Sequence, residues 1–176
     1  LQQAEQLKAA LEERFAACGL ELHPEKTKVV YCKDDDRRGD YPVQSFDFLG
    51  YTFRPRRSKN RYGKHFINFT PAISNKAGKT IRQTVRRWKL HRRSDKSLRD
   101  LANMFNSWIR GWVRYYSVFY KSALYPTLRQ IDRRLVIWAT RKYKRLRGHR
   151  RRASHWLDRI ARQNPRLFAH WSLLYG

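Results

Sequence analysis

Seven apolar side chains between residues 98 and 119 recur at alternating intervals of three and four positions. They are Leu98, Leu101, Phe105, Trp108, Trp112, Tyr115 and Phe119. This spacing places them on one side of an amphipathic helix, and that side needs neighbouring elements to cover it. The pattern predicts a helical bundle with these side chains in its core, Trp108, Trp112 and Tyr115 included. Ser94 or Asp95 is the expected N-cap.

Shorter apolar repeats on either side predict the neighbours of this helix. The predicted helices cover 79–91, a segment that begins near Pro126, and 153–162. Their apolar positions recur at helical spacing and are Ile81, Val85, Trp88, Leu128, Ile131, Leu135 and Trp138. Proline suits the first turn of a helix because its missing N–H has no partner there in any case. Residues 74–78 are expected to form a connection, and the aromatic segment 168–175 to fold back on the bundle.

The first seventy residues are predicted to combine one helix with short strands. The helix covers 1–18 and carries a stripe of Ala4, Leu7, Leu11, Phe15 and Cys18, with Gly19 as its stop. Strands are predicted at 28–32, 45–53 and 65–69, with a basic loop over 54–63. Alternation along 45–53 would place Phe46, Phe48, Gly50 and Thr52 on one face. The predicted fold class is α+β, with the helical bundle following the small sheet.

Positive charge is concentrated in the last two-thirds of the chain. The chain has 40 Lys and Arg against 14 Asp and Glu, a net charge of +26. Residues 1–50 carry 7 basic and 10 acidic side chains, whereas 51–176 carry 33 and 4. Charge of this density repels itself unless a polyanion neutralises it, and phosphate backbones are the commonest polyanion. A content of 41% hydrophobic and 14% aromatic residues argues against a disordered basic tail. The sequence therefore predicts a folded nucleic-acid-binding protein.

Other protein classes are disfavoured by what the sequence contains. No apolar run approaches the roughly 20 residues that span a bilayer, and no membrane partner is expected. Cys18 and Cys32 are too few for a disulfide framework, which indicates an intracellular and cytoplasmic protein. The chain begins with Leu1 rather than Met, and the helical stripe starts without a cap, so we expect further protein upstream.

Residue types that carry catalysis or bind metals are sparse. Asp34, Asp35 and Asp36 form the one dense carboxylate cluster, beside Arg37 and Arg38. Such a cluster reads first as an exposed turn and second as a metal site. The histidines lack zinc-site spacing, and no glycine-rich phosphate loop occurs. The sequence predicts no metal site and no self-sufficient enzyme.

Basic and aromatic side chains are the candidates for contact with nucleic acid. The aromatic residues Trp88, Tyr116 and Tyr62 are candidates for stacking on bases, since single-stranded RNA is often held by aromatic planes. The cations expected to meet phosphates are Arg54, Arg56, Arg57, Lys59, Lys64, Lys76, Lys79, Arg82, Arg86, Arg87, Lys89, Arg110, Arg114, Arg141, Lys144 and Arg145.

Three segments resemble motifs of one protein family, in the family's order. Residues 19–28, GLELHPEKTK, resemble the sixth motif of group II intron reverse transcriptases, written G-L-x-L-N-x-x-K-T. Residues 46–53, FDFLGYTF, resemble the seventh motif, F-x-F-L-G-[FY]-x-F. Residues 106–116, NSWIRGWVRYY, resemble the R-G-W-x-x-Y-[YF] signature of the maturase-specific domain, also called domain X or thumb. Together these motifs span most of the chain.

The resemblance implies a domain order and a set of roles. It implies the end of a polymerase palm at 1–53, a basic connection at 54–75 and a helical thumb at 76–176. Phe48, Leu49, Gly50 and Tyr51 would form the primer grip, and Lys26 would contact the incoming nucleotide or the leaving pyrophosphate. The thumb would bind intron RNA during splicing and the RNA template–DNA primer duplex during cDNA synthesis.

The sequence also departs from the family pattern. His23 and Arg114 stand where asparagine is usual, and no HNH endonuclease follows. The Tyr-Ala-Asp-Asp motif that would hold Mg²⁺ is absent, so we expect a C-terminal fragment that is inactive alone. The expected partner is the missing N-terminal fingers and palm of the same protein. Two other readings stay open: one part of a complete RNA-directed DNA polymerase, or a general basic RNA-binding protein of ribosomal type.

Overall fold

The computed structural model describes residues 2–37 and 39–176. The fold is α+β, with 55% helix and a three-stranded antiparallel sheet that precedes a helical bundle, which confirms the predicted class. The chain forms two compact units. The first unit contains the residues up to Phe46 together with Phe53–Thr70, and the second contains Asp47–Thr52 and Pro71–Gly176. The domain boundaries at 53 and 75 stay predictions about the longer protein.

In the first unit, helix α1 covers Gln2–Ala17. Gly19 follows it with a φ of 72°, a conformation that glycine adopts without strain and that commonly ends a helix. The predicted apolar stripe is not a core, because α1 has no buried residue and Leu7 is 62% exposed. The strand predicted at 28–32 is wrong. These residues lack a regular ladder, and Tyr31 N donates to Val43 O across the loop.

The sheet consists of β1, Phe46–Phe48, β2, Tyr51–Lys59, and β3, His65–Ile73, in that order. The single strand predicted at 45–53 is therefore wrong, since the chain reverses at Leu49 and Gly50. Their φ values are 48° and 81°, and a type I′ hairpin turn requires positive φ at both central residues. Because of this reversal, the prediction that the side chains of 45–53 alternate between the two faces of one strand is also wrong. The predicted basic loop is also wrong in its first half, which β2 contains, whereas the third strand is confirmed and runs longer.

Five helices follow in the second unit: α2, Asn75–Arg87, α3, Leu98–Tyr116, α4, Tyr125–Lys142, α5, Arg150–Gln163, and α6, Trp171–Tyr175. Short 3₁₀ turns lie between them at Leu90–Arg92, Lys121–Leu124 and Lys144–Leu146. Proline in the first turn of α4 is confirmed.

Three predicted helix starts are wrong. The helix predicted at 153–162 already begins at Arg150, and the other two errors come from capping. Residues 74–78 begin α2 rather than a connection, because Ser74 Oγ accepts a hydrogen bond from Ala77 N at 3.1 Å. Ser97, not Ser94 or Asp95, caps α3. The Ser97 side chain accepts from Asp100 N while the Asp100 carboxylate accepts from Ser97 N, so two otherwise unpaired N–H groups are satisfied.

The core of the second unit is built from apolar faces of all five helices. The largest fully buried side chains include Trp138, Trp171, Phe168, Leu101, Ile109, Leu128, Ile131 and Leu135. The predicted α3 stripe is buried only in its first half, and Trp108 is 57% exposed. A strict seven-residue repeat drifts by about 20° per heptad on a straight helix. The side of α3 that faces the core therefore continues through Ile109 and the half-buried Tyr116, while Trp108 and Tyr115 are exposed to solvent, as is Phe119 beyond the helix.

The C-terminal segment folds back as predicted and is held by a buried carboxylate. Asp132 Oδ1 lies 3.0 Å from His170 Nε2 and 2.8 Å from Trp171 Nε1, and Asp132 Oδ2 lies 3.2 Å from Tyr175 Oη. His170 and Trp171 are fully buried. Asn106 adds a second anchor, since its amide donates to Leu167 O and accepts from Ala169 N, each at 2.9 Å.

Candidate nucleic-acid interface

The second unit carries cations that its own acids do not neutralise. Residues 71–176 contain 27 Lys and Arg but four acids, and each acid has another role. Asp100 belongs to the α3 cap, Asp132 binds the C-terminal segment, and Asp158 accepts from Tyr175 Oη at 3.1 Å. Within the part of the chain that the structure describes, Lys96 is the one Lys or Arg of 71–176 that ion-pairs within 4.0 Å, and its partner is Asp95.

Most of the predicted phosphate-binding cations reach solvent. In the second unit the exposed ones are Lys76, Lys79, Arg86, Arg87, Lys89, Arg110, Arg114, Arg141, Lys144 and Arg145. Arg82 differs, since it is half-buried and its Nη1 lies 3.4 Å from Thr127 Oγ1. In the first unit Arg54, Arg57, Lys59 and Lys64 are exposed, whereas Arg56 Nε donates to Thr70 O. Contact of these residues with phosphate stays a prediction.

Sequence reasoning missed a group of arginines on α4 and α5. Together with α6 they line a groove of about 750 Å³, which we call the arginine groove. Its cations are Arg129, Arg133, Arg150, Arg151 and Arg162. A neighbouring depression of about 830 Å³ adds Arg145, Arg152 and Arg159 around Trp156. The spacing of four residues between Arg129 and Arg133 was the available signal, because it places both on one side of a helix.

Three of these arginines lie in the first turn of α5, at the helix N-terminus, where a positive charge is unfavourable. Arg150, Arg151 and Arg152 begin the helix, its first turn has no acid, and His149 provides no side-chain cap. The N-terminus of a helix carries partial positive charge, so cations there destabilise the helix and anions stabilise it. The free protein therefore lacks the negative charge that this helix end favours.

We expect Arg151→Glu to raise the free energy of unfolding by about 0.3–1 kcal/mol while weakening RNA binding. Arg162→Glu is the matched control, because Arg162 lines the same groove but lies in the last turn of α5, where a cation is favourable. It should weaken RNA binding and also lower stability. Urea unfolding and RNA titration of both variants check this. If both variants changed the free energy of unfolding in the same direction, the charge at the two ends of α5 would not be the cause of the stability change.

The turn between β1 and β2 is hydrogen-bonded to the end of α3 and to the N-cap residue of α2. Tyr115 Oη donates to Leu49 O at 2.8 Å, Tyr51 Oη donates to Tyr115 O, and Ser74 N donates to Gly50 O at 2.8 Å. Burial raises the pKa of both Tyr51 and Tyr116, with the neighbouring tyrosines adding to it.

The four predicted primer-grip residues differ in which of their atoms are exposed to solvent. Phe48 and Leu49 expose their side chains, Gly50 offers backbone, and Tyr51 is buried. The turn thus displays two apolar side chains on a fixed backbone, beside a shallow cleft of about 440 Å³ that Lys76 and Trp112 help to line.

The three candidates for base stacking have different surroundings. Trp88 is buried between Phe105 and Trp112, with ring centroids 4.3 and 5.6 Å away, so its prediction as a stacking platform is wrong. Tyr116 is half-buried beside Gly50, while Tyr62 is 78% exposed with the Arg61 guanidinium 4.7 Å from its ring. The aromatic faces that α3 does expose belong to Trp108 and Tyr115.

The remaining predicted site residues lie in the first unit. Lys26 is exposed, and its backbone N donates to His23 O at 3.2 Å. Asp34 Oδ1 accepts from the backbone N of Asp36 and of Arg37, and Asp35 Oδ1 accepts from Ile67 N. Arg38, predicted beside this cluster, lies outside the described residues. In 2–37 and 39–176, no group of three or more His, Cys, Asp or Glu residues is placed to hold a metal ion.

Comparison with known proteins bears on the second unit. A family model described as the group II intron, maturase-specific domain matches residues 78–156. Searches against curated proteins and against solved structures gave no match. In the described part of the chain, none of the helices combines the length and the apolarity needed to cross a membrane. The matched segment extends from Gly78 in α2 to Trp156 in α5 and contains the NSWIRGWVRYY motif at residues 106–116. The prediction drawn from that motif is confirmed for this segment: residues 78–156 match the group II intron maturase-specific domain, which supports a maturase role for this chain.

Proposed function

We propose that this chain binds group II intron RNA through the cationic surface of its second unit and thereby assists splicing. One observation carries the proposal: residues 78–156, which match the maturase-specific domain, contain 23 basic residues and three acids, and each of these acids already has a partner in the protein. Guanidinium and ammonium groups that lack protein partners remain available for phosphate oxygens. Cations on α2, α3, α4 and α5 would hold the RNA backbone, and base-specific contacts would come from fewer residues.

Binding to RNA through phosphates should depend steeply on salt. Each neutralised phosphate contributes about 0.7–0.9 to the slope of log affinity against log salt, because bound counterions are released. With about six or more phosphate contacts, affinity should fall by about three orders of magnitude between roughly 50 and 200 mM salt. The measurement is a titration of group II intron RNA and of an unrelated structured RNA of equal length, at several salt concentrations.

Exchanging Arg86 and Arg87 tests whether exposed arginines act in this binding. We expect Arg86→Gln with Arg87→Gln to reduce the salt slope by about one to two, while the corresponding lysine pair retains it. Equal affinity for both RNAs would leave a general basic RNA-binding protein, the alternative that the charge alone allows. Affinity without salt dependence would contradict the proposal altogether.

We further propose that the chain serves a longer reverse transcriptase in the cytoplasm. In that protein the β1–β2 turn would lie against the primer end, Lys26 would contact the incoming nucleotide, and the bundle would hold the template–primer duplex. The rigid fastening of the turn to α3 supports this, because a primer must be positioned accurately for transfer. Mg²⁺ would serve the fingers and palm of that enzyme, and no residue of this chain is assigned to it.

A further inference from the structure

The arginine groove has the volume and the lining residues of a ligand-binding site. Its volume of about 750 Å³ lies within the roughly 300–1,000 Å³ of small-molecule pockets. Val136, Ile137 and Leu174 contribute apolar surface, so the groove is more than a charged patch. Apolar surface of this kind can contact the plane of a nucleobase while the arginines bind its phosphate.

The five arginines of the groove have no partner of their own. None of their guanidinium groups hydrogen-bonds or ion-pairs with another described residue, although Asp132 and Asp158 line the same groove. Asp132 is already occupied by the donors of the C-terminal segment. The acids therefore leave the arginines free for a phosphate that enters from outside.

Asp158 offers a feature that a purely phosphate-binding surface would avoid. Its Oδ1 accepts from Tyr175 Oη, while its Oδ2 has no partner among the described residues. A carboxylate oxygen facing a groove repels phosphate but accepts hydrogen bonds from the amino group of a base. The same groove thus combines donors for phosphate, apolar surface for a ring and an acceptor for a base edge.

We propose that the arginine groove binds one unpaired nucleotide of the RNA, with its phosphate on the arginines and the amino group of its base on Asp158. This inference rests on the proposed RNA binding and adds a base preference to it. Bases with an exocyclic amino group are favoured over uracil, whose edge places two carbonyl oxygens beside its single N–H. The occupant is unpaired because a base inside a duplex cannot present this edge.

Removing the Asp158 carboxylate distinguishes the proposed site from nonspecific electrostatic binding. The two explanations predict opposite changes in RNA affinity. Asp158→Ala makes the protein more cationic, so charge alone would tighten binding to any RNA. A lost hydrogen bond to the base would instead weaken binding of single-stranded oligo(C) about tenfold, the factor typical of a hydrogen bond to a charged group. Oligo(U) of equal length should be affected little. Asp95→Ala is the matched control, since it makes the same charge change outside the groove.

A second variant tests occupancy of the groove without changing charge. Ser154 lines the groove and is half-buried, so Ser154→Phe would fill part of it and should weaken oligo(C) binding. The proposal is overturned if Asp158→Ala tightens oligo(C) binding as Asp95→Ala does, or if Ser154→Phe leaves it unchanged. In both cases salt-dependent binding of the wild-type protein to RNA would keep the proposed function intact. Absence of any binding by the wild type would remove both.

Discussion

Replacing Asp132 by alanine is expected to lower the free energy of unfolding by about 3–5 kcal/mol, the range for removing one partner of a buried charged network. The carboxylate accepts from His170 and Trp171, both fully buried, and shares the single hydroxyl proton of Tyr175 with Asp158. Without Asp132 their donors would have neither water nor an acceptor. Phe168, which packs in the core against Trp171, would lose the anchor of its segment as well.

The measurement is urea unfolding followed by tryptophan fluorescence, with Asp158→Ala as the comparison. Asp158 shares the Tyr175 hydroxyl proton with Asp132, and in the variant that proton can still be donated to Asp132 Oδ2 at 3.2 Å, so this variant should lose less than about 1 kcal/mol. A loss this small would also show that Asp158→Ala remains folded in the oligonucleotide experiment. Similar losses for the two variants would mean that Asp132 does not anchor the C-terminal segment.

Replacing Gly50 by alanine is expected to lower stability by about 2–4 kcal/mol and to displace the β1–β2 turn. Two causes add. The φ of 81° is unfavourable for a residue with a Cβ, and the added Cβ would lie 2.7 Å from Tyr116 Oη. Urea unfolding of the single variant measures the sum of the two terms. In the longer polymerase, primer extension should fall as well, because the turn is proposed to hold the primer end.

Combining Gly50→Ala with Tyr116→Phe separates these two causes. The double variant removes the hydroxyl oxygen that the new Cβ would meet, and the remaining ring atoms lie at 3.4 Å or more. We expect it to recover the steric part of the loss, leaving about 1 kcal/mol or more of backbone strain relative to Tyr116→Phe alone. Strict additivity of the two single changes would indicate that Tyr116 does not restrict position 50.

The residue at position 49 explains why the β1–β2 turn was not predicted. Leucine rarely adopts positive φ, and the Asn-Gly or Asp-Gly signals of such turns are missing, so FDFLGYTF reads as one continuous strand. The structure satisfies the turn from outside the segment, through Tyr115 Oη on Leu49 O and Ser74 N on Gly50 O. A strained residue with a 68% exposed apolar side chain at this position is consistent with a functional requirement.

The helices were predicted better than the strands and the site. Stripes such as Leu128, Ile131, Leu135 and Trp138 lie entirely in the core, because repeated helical spacing has one structural solution. In α3 the same rule predicted the element but not the burial of its second half. The phosphate-facing arginines could be predicted as a class, yet the groove required knowledge of which arginines α4 and α5 bring together.

By itself, the sequence determined the α+β class, the helical character of the last hundred residues, their excess positive charge and the maturase motif. These are local or additive properties, so they can be read without coordinates. Tertiary structure alone decided which tryptophans are buried, where Leu49 reverses the chain, and that Asp158 lies among five arginines on a shared groove. Each of these depends on contacts between segments far apart in the chain, whose relative orientation no local pattern encodes.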